Sequence, residues 1–242
     1  MAAERNEELA RLFVGIARHL HAEDDPAGAR EQITLAAVAT VPGCAHAAIS
    51  LVRRNGTITT VAATDELPAQ VDAVQYETGQ GPCLEALEHD RLYRSDDLEA
   101  ETRWPDFARP AAERTGVRSM LSYRLYLDDE VHGALNLYSR TPRAFDDHAV
   151  AVGAILAGHA TLALSHSRDR QQRRNLSEAL DSNRDIGVAI GILMASHGIT
   201  RDRAFDVLRD TSQWLNRKLR EVAEEVTHTG RLPSAPERST PR

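Results

Sequence analysis

Apolar residues recur at helical spacing near the start of the chain. Leu9, Leu12, Phe13, Ile16, Ala17 and Leu20 fall at i, i+3, i+4, i+7, i+8 and i+11, which predicts one amphipathic helix. A break over His21–Pro26 follows. A second helix is expected over Ala27–Thr40, with Ile33, Leu35 and Val38 inward, ending before the Pro42-Gly43 turn.

From His46 the period falls to two. His46–Arg53 and Thr57–Thr64 read as strands joined through Arg54-Asn55-Gly56, and Ser119–Leu127 and Val131–Arg140 as a second hairpin around Asp128-Asp129-Glu130. Between the hairpins, residues 65–117 show little strand pattern. They hold a glycine- and proline-containing loop from Thr78 to Cys83, a short helix signal over Leu84–His89 and the aromatic group Trp104, Pro105, Phe107. This order predicts an α+β fold with an antiparallel sheet.

A very long helix is expected from Asp147, capped by Asp146. Ile155, His159, Leu162, His166, Asp169, Arg173, Leu176, Leu180, Asn183, Gly187, Ile190 and Met194 alternate by four and three, a heptad seam with apolar ends and a polar middle. No glycine or proline lies between Ala160 and Arg184. Such a seam fits parallel pairing of two copies as a coiled coil, and also a solvated connector between independent domains. After His197-Gly198, Thr200 reads as the N-cap of a helix with Asp202 in its first turn and Ala204, Phe205, Val207 and Leu208 inward. A final helix is expected to hold Trp214, Leu215, Leu219, Val222, Ala223 and Val226. The last stretch, rich in Pro, Ser and Arg, reads as a disordered tail. The pattern therefore divides into an N-terminal helix (1–26), an α+β domain (27–165), a connecting helix (166–183), a small all-α domain (184–229) and a tail (230–242).

A chain of 242 residues accommodates this as a medium domain plus a small one. Charge separates the two: residues 171–242 carry 12 Lys and Arg against 10 Asp and Glu, whereas the rest carries 17 against 26. Only the C-terminal part is therefore suited to meet phosphates. Cys44 and Cys83 have no CxxC or metal-ligand spacing and read as buried small hydrophobes in a reducing compartment. The N-terminus lacks the basic start and apolar core of a signal peptide, and no apolar run approaches the roughly 18 residues of a membrane span. A cytoplasmic location without membrane contact is expected. Lys218 is the sole lysine, so a phosphate-binding GxxxxGK[ST] loop is excluded. There is no HExxH, no GxSxG and no paired histidine spacing. No enzyme, cofactor or metal is expected.

Arg184, Ile186, Ala189, Gly191, Leu193-Met194, Ala204-Phe205, Leu208-Arg209, Ser212, Asn216, Lys218-Leu219 and Ala223 resemble, at its usual spacing, the ANTAR domain, a bacterial RNA-binding antitermination module. The region from about Ala27 to Ser165 resembles a GAF sensor domain, most closely in the loop Tyr76-Glu77-Thr78-Gly79-Gln80-Gly81-Pro82-Cys83. The resemblance implies a homodimer in which each three-helix unit engages one hexanucleotide loop of a paired stem-loop in nascent mRNA, preventing a competing terminator hairpin. It also implies a small-molecule ligand at the GAF domain. The asparagine–lysine motif of cyclic-nucleotide-binding GAF domains is missing, because the one lysine lies outside this region.

Unstacked loop bases require close backbone approach and cations for phosphates. Ala189 and Gly191 leave room on a helix face for a base, and Arg184, Arg209, Lys218 and Arg220 can supply the charged contacts, expected to form one basic patch. Ile190 and Ser196 stand where the family commonly has basic residues, which removes cations from that face. Surface solvation is the plain alternative for Arg209, Lys218 and Arg220, and helix packing for Gly191. Cys83, Trp104, Phe107 and Tyr123 are candidates for lining a ligand pocket, with aromatic core and simple packing as the alternative. Two other functions fit the same pattern: a DNA-binding helix-turn-helix factor, and a ligand-gated dimerisation module without nucleic acid.

Overall fold

Alternation along the strands sorts side chains onto the two faces of one sheet, each covered by helices. The computed structural model describes residues 25–53, 55–89, 92–127 and 132–233. The helix expected around Leu9–Leu20, the tip of the second hairpin and most of the tail lie outside the described residues. Two units are present, residues 1–171 and 172–242.

In the first unit, β1 (His46–Val52), β2 (Ile58–Ala63), β3 (Tyr93–Ser95), β4 (Ser119–Tyr126) and β5 (His132–Ser139) form an antiparallel sheet in the order β2-β1-β5-β4-β3. Ala47, Ile49, Leu121, Tyr123, Leu125, Leu135 and Leu137 face α1 (Pro26–Thr40) and the first part of α5 (Asp147–His197). The alternate residues Ala48, Met120 and Tyr138 point the other way. They pack with Leu67, Val71 and Val74 of α2 (Glu66–Thr78) and with Phe107, Ala108 and Ala111 of α4 (Pro105–Thr115). Through Cys83 and Leu87, α3 (Pro82–His89) covers Ala134.

Three helices and a short strand therefore occupy a stretch whose sequence signal was mainly the one at Leu84–His89. The apolar stripe of α2 is diluted by Asp72 and Gln75, which are themselves fully buried. That of α4 is built largely from alanine, and Pro110 stands inside the helix as a break signal. Hydrophobic periodicity is therefore weak in α2, whereas in α4 the stripe is regular and the proline obscures it. In α1, Ala29, Ile33 and Ala37 form the buried stripe, and Leu35, expected inward, is 49% exposed because it stands about half a turn from Ile33.

Asp146 caps α5, its Oδ1 accepting from the Ala149 N–H at 2.8 Å. Contrary to the sequence expectation, α5 contains a stretch long and apolar enough to pass for a membrane span. Ala149, Val152, Leu156, Ala157, Ala160, Ala163 and Leu164 are buried in the sheet core, which accounts for that apolarity.

In the second unit, the end of α5 packs with α6 (Arg201–Leu215) and α7 (Leu219–Thr229) around Ala189, Ile190, Leu193, Ala204, Leu208, Val222, Ala223 and Val226. Thr200 caps α6 by accepting from Arg203 N–H at 3.4 Å. Asn216 terminates it in the left-handed conformation, φ 51°. Trp214 thus belongs to α6, not to the last helix, and is 67% exposed. Phe205, expected inward, is 38% exposed. The inward stripe of α6 runs through Ala204 and Leu208, and Phe205 sits on its flank.

The heptad positions also divide. Ile155 and Leu162 in the first unit, and Leu176 and Leu180 in the second, are exposed, whereas Ile190 turns into the three-helix core.

Candidate functional site

The inner face of the GAF-like sheet, under α2 and α3, carries a polar cluster. Asp72 on α2 is fully buried, and its four acceptor positions are filled. Tyr138 OH and Gln75 Nε2 donate to Oδ1 at 2.5 and 3.0 Å. Ser50 Oγ and Thr60 Oγ1 donate to Oδ2 at 3.1 and 2.8 Å. Tyr76 OH donates to Ser50 Oγ at 2.9 Å. Asn136 Nδ2 donates to Ser50 Oγ at 3.1 Å and to Cys83 Sγ at 3.2 Å, while Ser122 Oγ donates to Asn136 Oδ1 at 2.8 Å.

Burial raises the Asp72 pKa, and its four hydrogen bonds oppose that rise. Burial, with Asp72 nearby, pushes the Cys83 thiol up to about 12, which keeps it protonated.

The glycine loop ties this cluster to the surface. Gln75, besides donating to Asp72, accepts from Cys83 N–H at 2.9 Å. Gly81 lies at φ 138°, and a Cβ there would collide with the Gln75 side chain. Gln80 exchanges two hydrogen bonds with Asp106, donating to its carboxylate at 2.8 Å and accepting from its N–H at 3.0 Å. Trp104 Nε1 donates to Glu85 Oε1 at 2.7 Å, linking α3 to the start of α4.

The four residues expected to line one pocket are not brought together. Cys83 belongs to the polar cluster. Trp104 and Phe107 are buried in the core between α2, α4 and the sheet. Tyr123 points to the opposite sheet face, where its hydroxyl donates to Val150 O at 2.9 Å and its ring lies on Gly153. The polar cluster was missed. Its signal was present in Ser50, Ser122 and Asn136, polar residues at strand positions that alternate onto a buried face.

In the second unit, Ile186, Ala189, Ile190 and Leu193 make the inward stripe of α5. Arg184, Val188, Gly191 and Ala195, spaced by four, three and four, make the exposed one on the opposite side of the helix. Ala189 is therefore corrected: it is fully buried in the core and offers no approach to a base. Gly191 is exposed, and a Cβ there would meet nothing within 4 Å, so packing against the unit's own helices does not require glycine.

Arg184 is exposed on the side of α5 turned away from α6 and α7, so it does not join the other cations in one cluster. Arg209 on α6 is held by Asp206 at 2.8 Å and Asp210 at 3.4 Å. Lys218 precedes α7 and Arg220 lies in its first turn, both exposed. Arg217 beside them pairs with Glu225 at 2.6 Å. Ser196 turns its hydroxyl back to Ile192 O at 2.7 Å. Ile190 belongs to the core, so its substitution for a basic residue fills the helix interface.

A GAF domain family matches residues 31–165, more than half of the chain, and an ANTAR domain family matches residues 174–226 directly after it. The chain is a GAF–ANTAR protein. The GAF domain of a phosphoenolpyruvate-protein phosphotransferase from Coxiella burnetii is similar in fold, at 14% identity and TM-score 0.52, over 68% of this chain and 96% of that one. An N-acylhomoserine-lactone-dependent LuxR-family transcription factor from Burkholderia cenocepacia is similar at 18% identity and TM-score 0.53, over 66% and 96%. Free methionine-R-sulfoxide reductase from Neisseria meningitidis is similar at 15% and 0.51, over 66% and 90%. These likenesses are of fold. No curated protein matches the chain. The GAF–ANTAR order makes it a signal-sensing regulator of the ANTAR type.

Proposed function

We propose that this GAF–ANTAR protein is a bacterial transcription antitermination regulator. Its ANTAR unit binds paired stem-loop RNA as a homodimer in the cytoplasm, and a small molecule at the GAF unit gates that binding. It acts by holding an RNA conformation, without catalysis. The observation that carries the reading is the ANTAR match immediately after a GAF unit, on a three-helix bundle that keeps Arg184, Gly191, Lys218 and Arg220 at the surface.

Dimerisation is supported by the exposed leucines of α5. Leu176 and Leu180 are 61% and 63% exposed at heptad spacing, a stripe that a second copy would cover. The signal reaches the GAF unit beneath α2 and α3, where a polar ligand that displaces Tyr76 or the glycine loop takes over the hydrogen bonds these make to Ser50, Thr60 and Gln75.

Gel shifts of the full chain at low salt test the reading, with tandem hexaloop RNA competed by duplex DNA. The expected result is an RNA complex that weakens with salt and resists the DNA competitor. Retention by duplex DNA alone would favour a helix-turn-helix factor, and no shift with either would leave the dimerisation module.

A further inference from the structure

A groove of about 530 Å³ runs along the second unit, lined by Asn183, Gly187 and Ile190 of α5 and by Arg201, Asp202 and Phe205 of α6. We infer that this groove receives one unstacked base of the bound RNA, with Phe205 as the stacking wall, Asn183 and Asp202 reading the base edge and Arg201 taking the adjoining phosphate. The inference rests on the RNA-binding reading above and assigns to it a subsite that the family resemblance did not indicate.

Three features carry it. Phe205 is an aromatic ring left 38% exposed at the groove, where a position one step along the same helix, Ala204, is fully buried. Aromatic faces are the common platform for splayed RNA bases. Gly187 forms the floor, and a Cβ added there meets nothing within 4 Å, so the space belongs to the groove and not to the fold.

The charges have a pattern suited to a nucleotide. Asp206, which also lines the groove, is neutralised by Arg209 at 2.8 Å. Arg201 and Asp202 have no ion pair among the described residues, leaving one cation and one acceptor-only group side by side. A carboxylate and an amide beside a ring match a base that presents N–H donors on its Watson–Crick edge. Adenine, cytosine and guanine carry an amino group there, and uracil does not.

The groove borders the heptad stripe of α5. The heptad stripe is exposed at Leu176 and Leu180, but by Ile190 it has rotated into the unit's own core at 7% exposure. Asn183 and Gly187 are exposed members of that stripe, so the groove opens where the stripe turns inward, and the oligomeric mass of each variant is read alongside its RNA binding.

Gly187→Leu fills the groove and replaces glycine with a strong helix former, so the helix is expected to hold or gain stability. With tandem hexaloop RNA, full-length Gly187→Leu is expected to bind at least tenfold more weakly than the unaltered chain, at unchanged oligomeric mass and an equal or higher Tm. Single abasic substitutions through the RNA loop should reveal one position that weakens the unaltered chain yet leaves Gly187→Leu no worse. Phe205→Ala should show the same dependence on that position, which guards against misfolding of the leucine variant.

Undiminished binding by both variants overturns the inference. So does a loss that comes with altered oligomeric mass, or one that every abasic RNA deepens equally. Failure of the unaltered chain to bind the RNA at all would instead remove the RNA reading on which the groove assignment rests.

Discussion

The Tyr138 hydroxyl donates to Asp72 Oδ1 at 2.5 Å, joining the central strand β5 to α2 across the covered face of the GAF sheet. Both residues are fully buried. This one bond links the strand at the middle of the sheet to the helix that leads into the glycine loop. Tyr138→Phe keeps the ring and leaves the carboxylate one donor short in a site without water access. The full chain is expected to lose about 1–3 kcal/mol in urea unfolding, the usual cost of an unsatisfied buried polar group. An unchanged urea midpoint would show that the cluster does not hold the two elements together.

Gly81 serves the same cluster from the loop side. Alanine there meets the Gln75 side chain, at a φ that L-residues rarely adopt. Gly81→Ala is expected to destabilise by roughly 1–3 kcal/mol and to speed amide hydrogen exchange at Cys83, whose N–H Gln75 accepts. Retained protection at Cys83 would contradict this role.

Acid stability turns on Glu101. Burial alone would raise its pKa, but hydrogen bonds from Arg103 side chain and backbone and from Ser95 outweigh it and bring the carboxyl down to about 2. The bond from Ser95 Oγ spans 2.9 Å. A folded pKa below the unfolded value means that the stabilisation is complete above the ordinary carboxylate range. It is lost as pH falls from about 4.5 towards about 2. Glu101→Gln should unfold at a lower urea concentration than the unaltered chain at pH 6, and the gap should shrink as pH falls to 3. A gap that stays constant would contradict the assignment.

The exposed leucines of α5 are expected to act between copies. Leu176→Glu with Leu180→Glu alters side chains that are 61% and 63% exposed, so the fold should survive. Light scattering should show a dimer for the unaltered chain and a monomer for the double variant. A dimer in both would place the interface elsewhere.

Much of this architecture was legible from spacing. Alternation found four of the five described strands, and the Asp146 and Thr200 caps marked the starts of α5 and α6. Less visible was α2, because Asp72 and Gln75 occupy inward positions that periodicity expects to be apolar. Their burial depends on Ser50, Thr60 and Tyr138, which arrive from distant parts of the chain. The candidate site suffered from a related ambiguity. Ala189 and Gly191 are both small, and only the positions of α6 and α7 decide that the first is core and the second surface. Phe205 and Trp214 fit an inward stripe by composition, yet helix phase and the Asn216 turn put both at the surface.

We propose that this GAF–ANTAR protein keeps transcription going by holding nascent RNA. Single-round transcription through a tandem hexaloop that overlaps a terminator tests it most directly. Purified full-length protein is expected to increase readthrough, and scrambling both loop sequences while preserving the stems should abolish the increase. Equal readthrough with and without the protein, on a template whose RNA it demonstrably binds, would contradict the account.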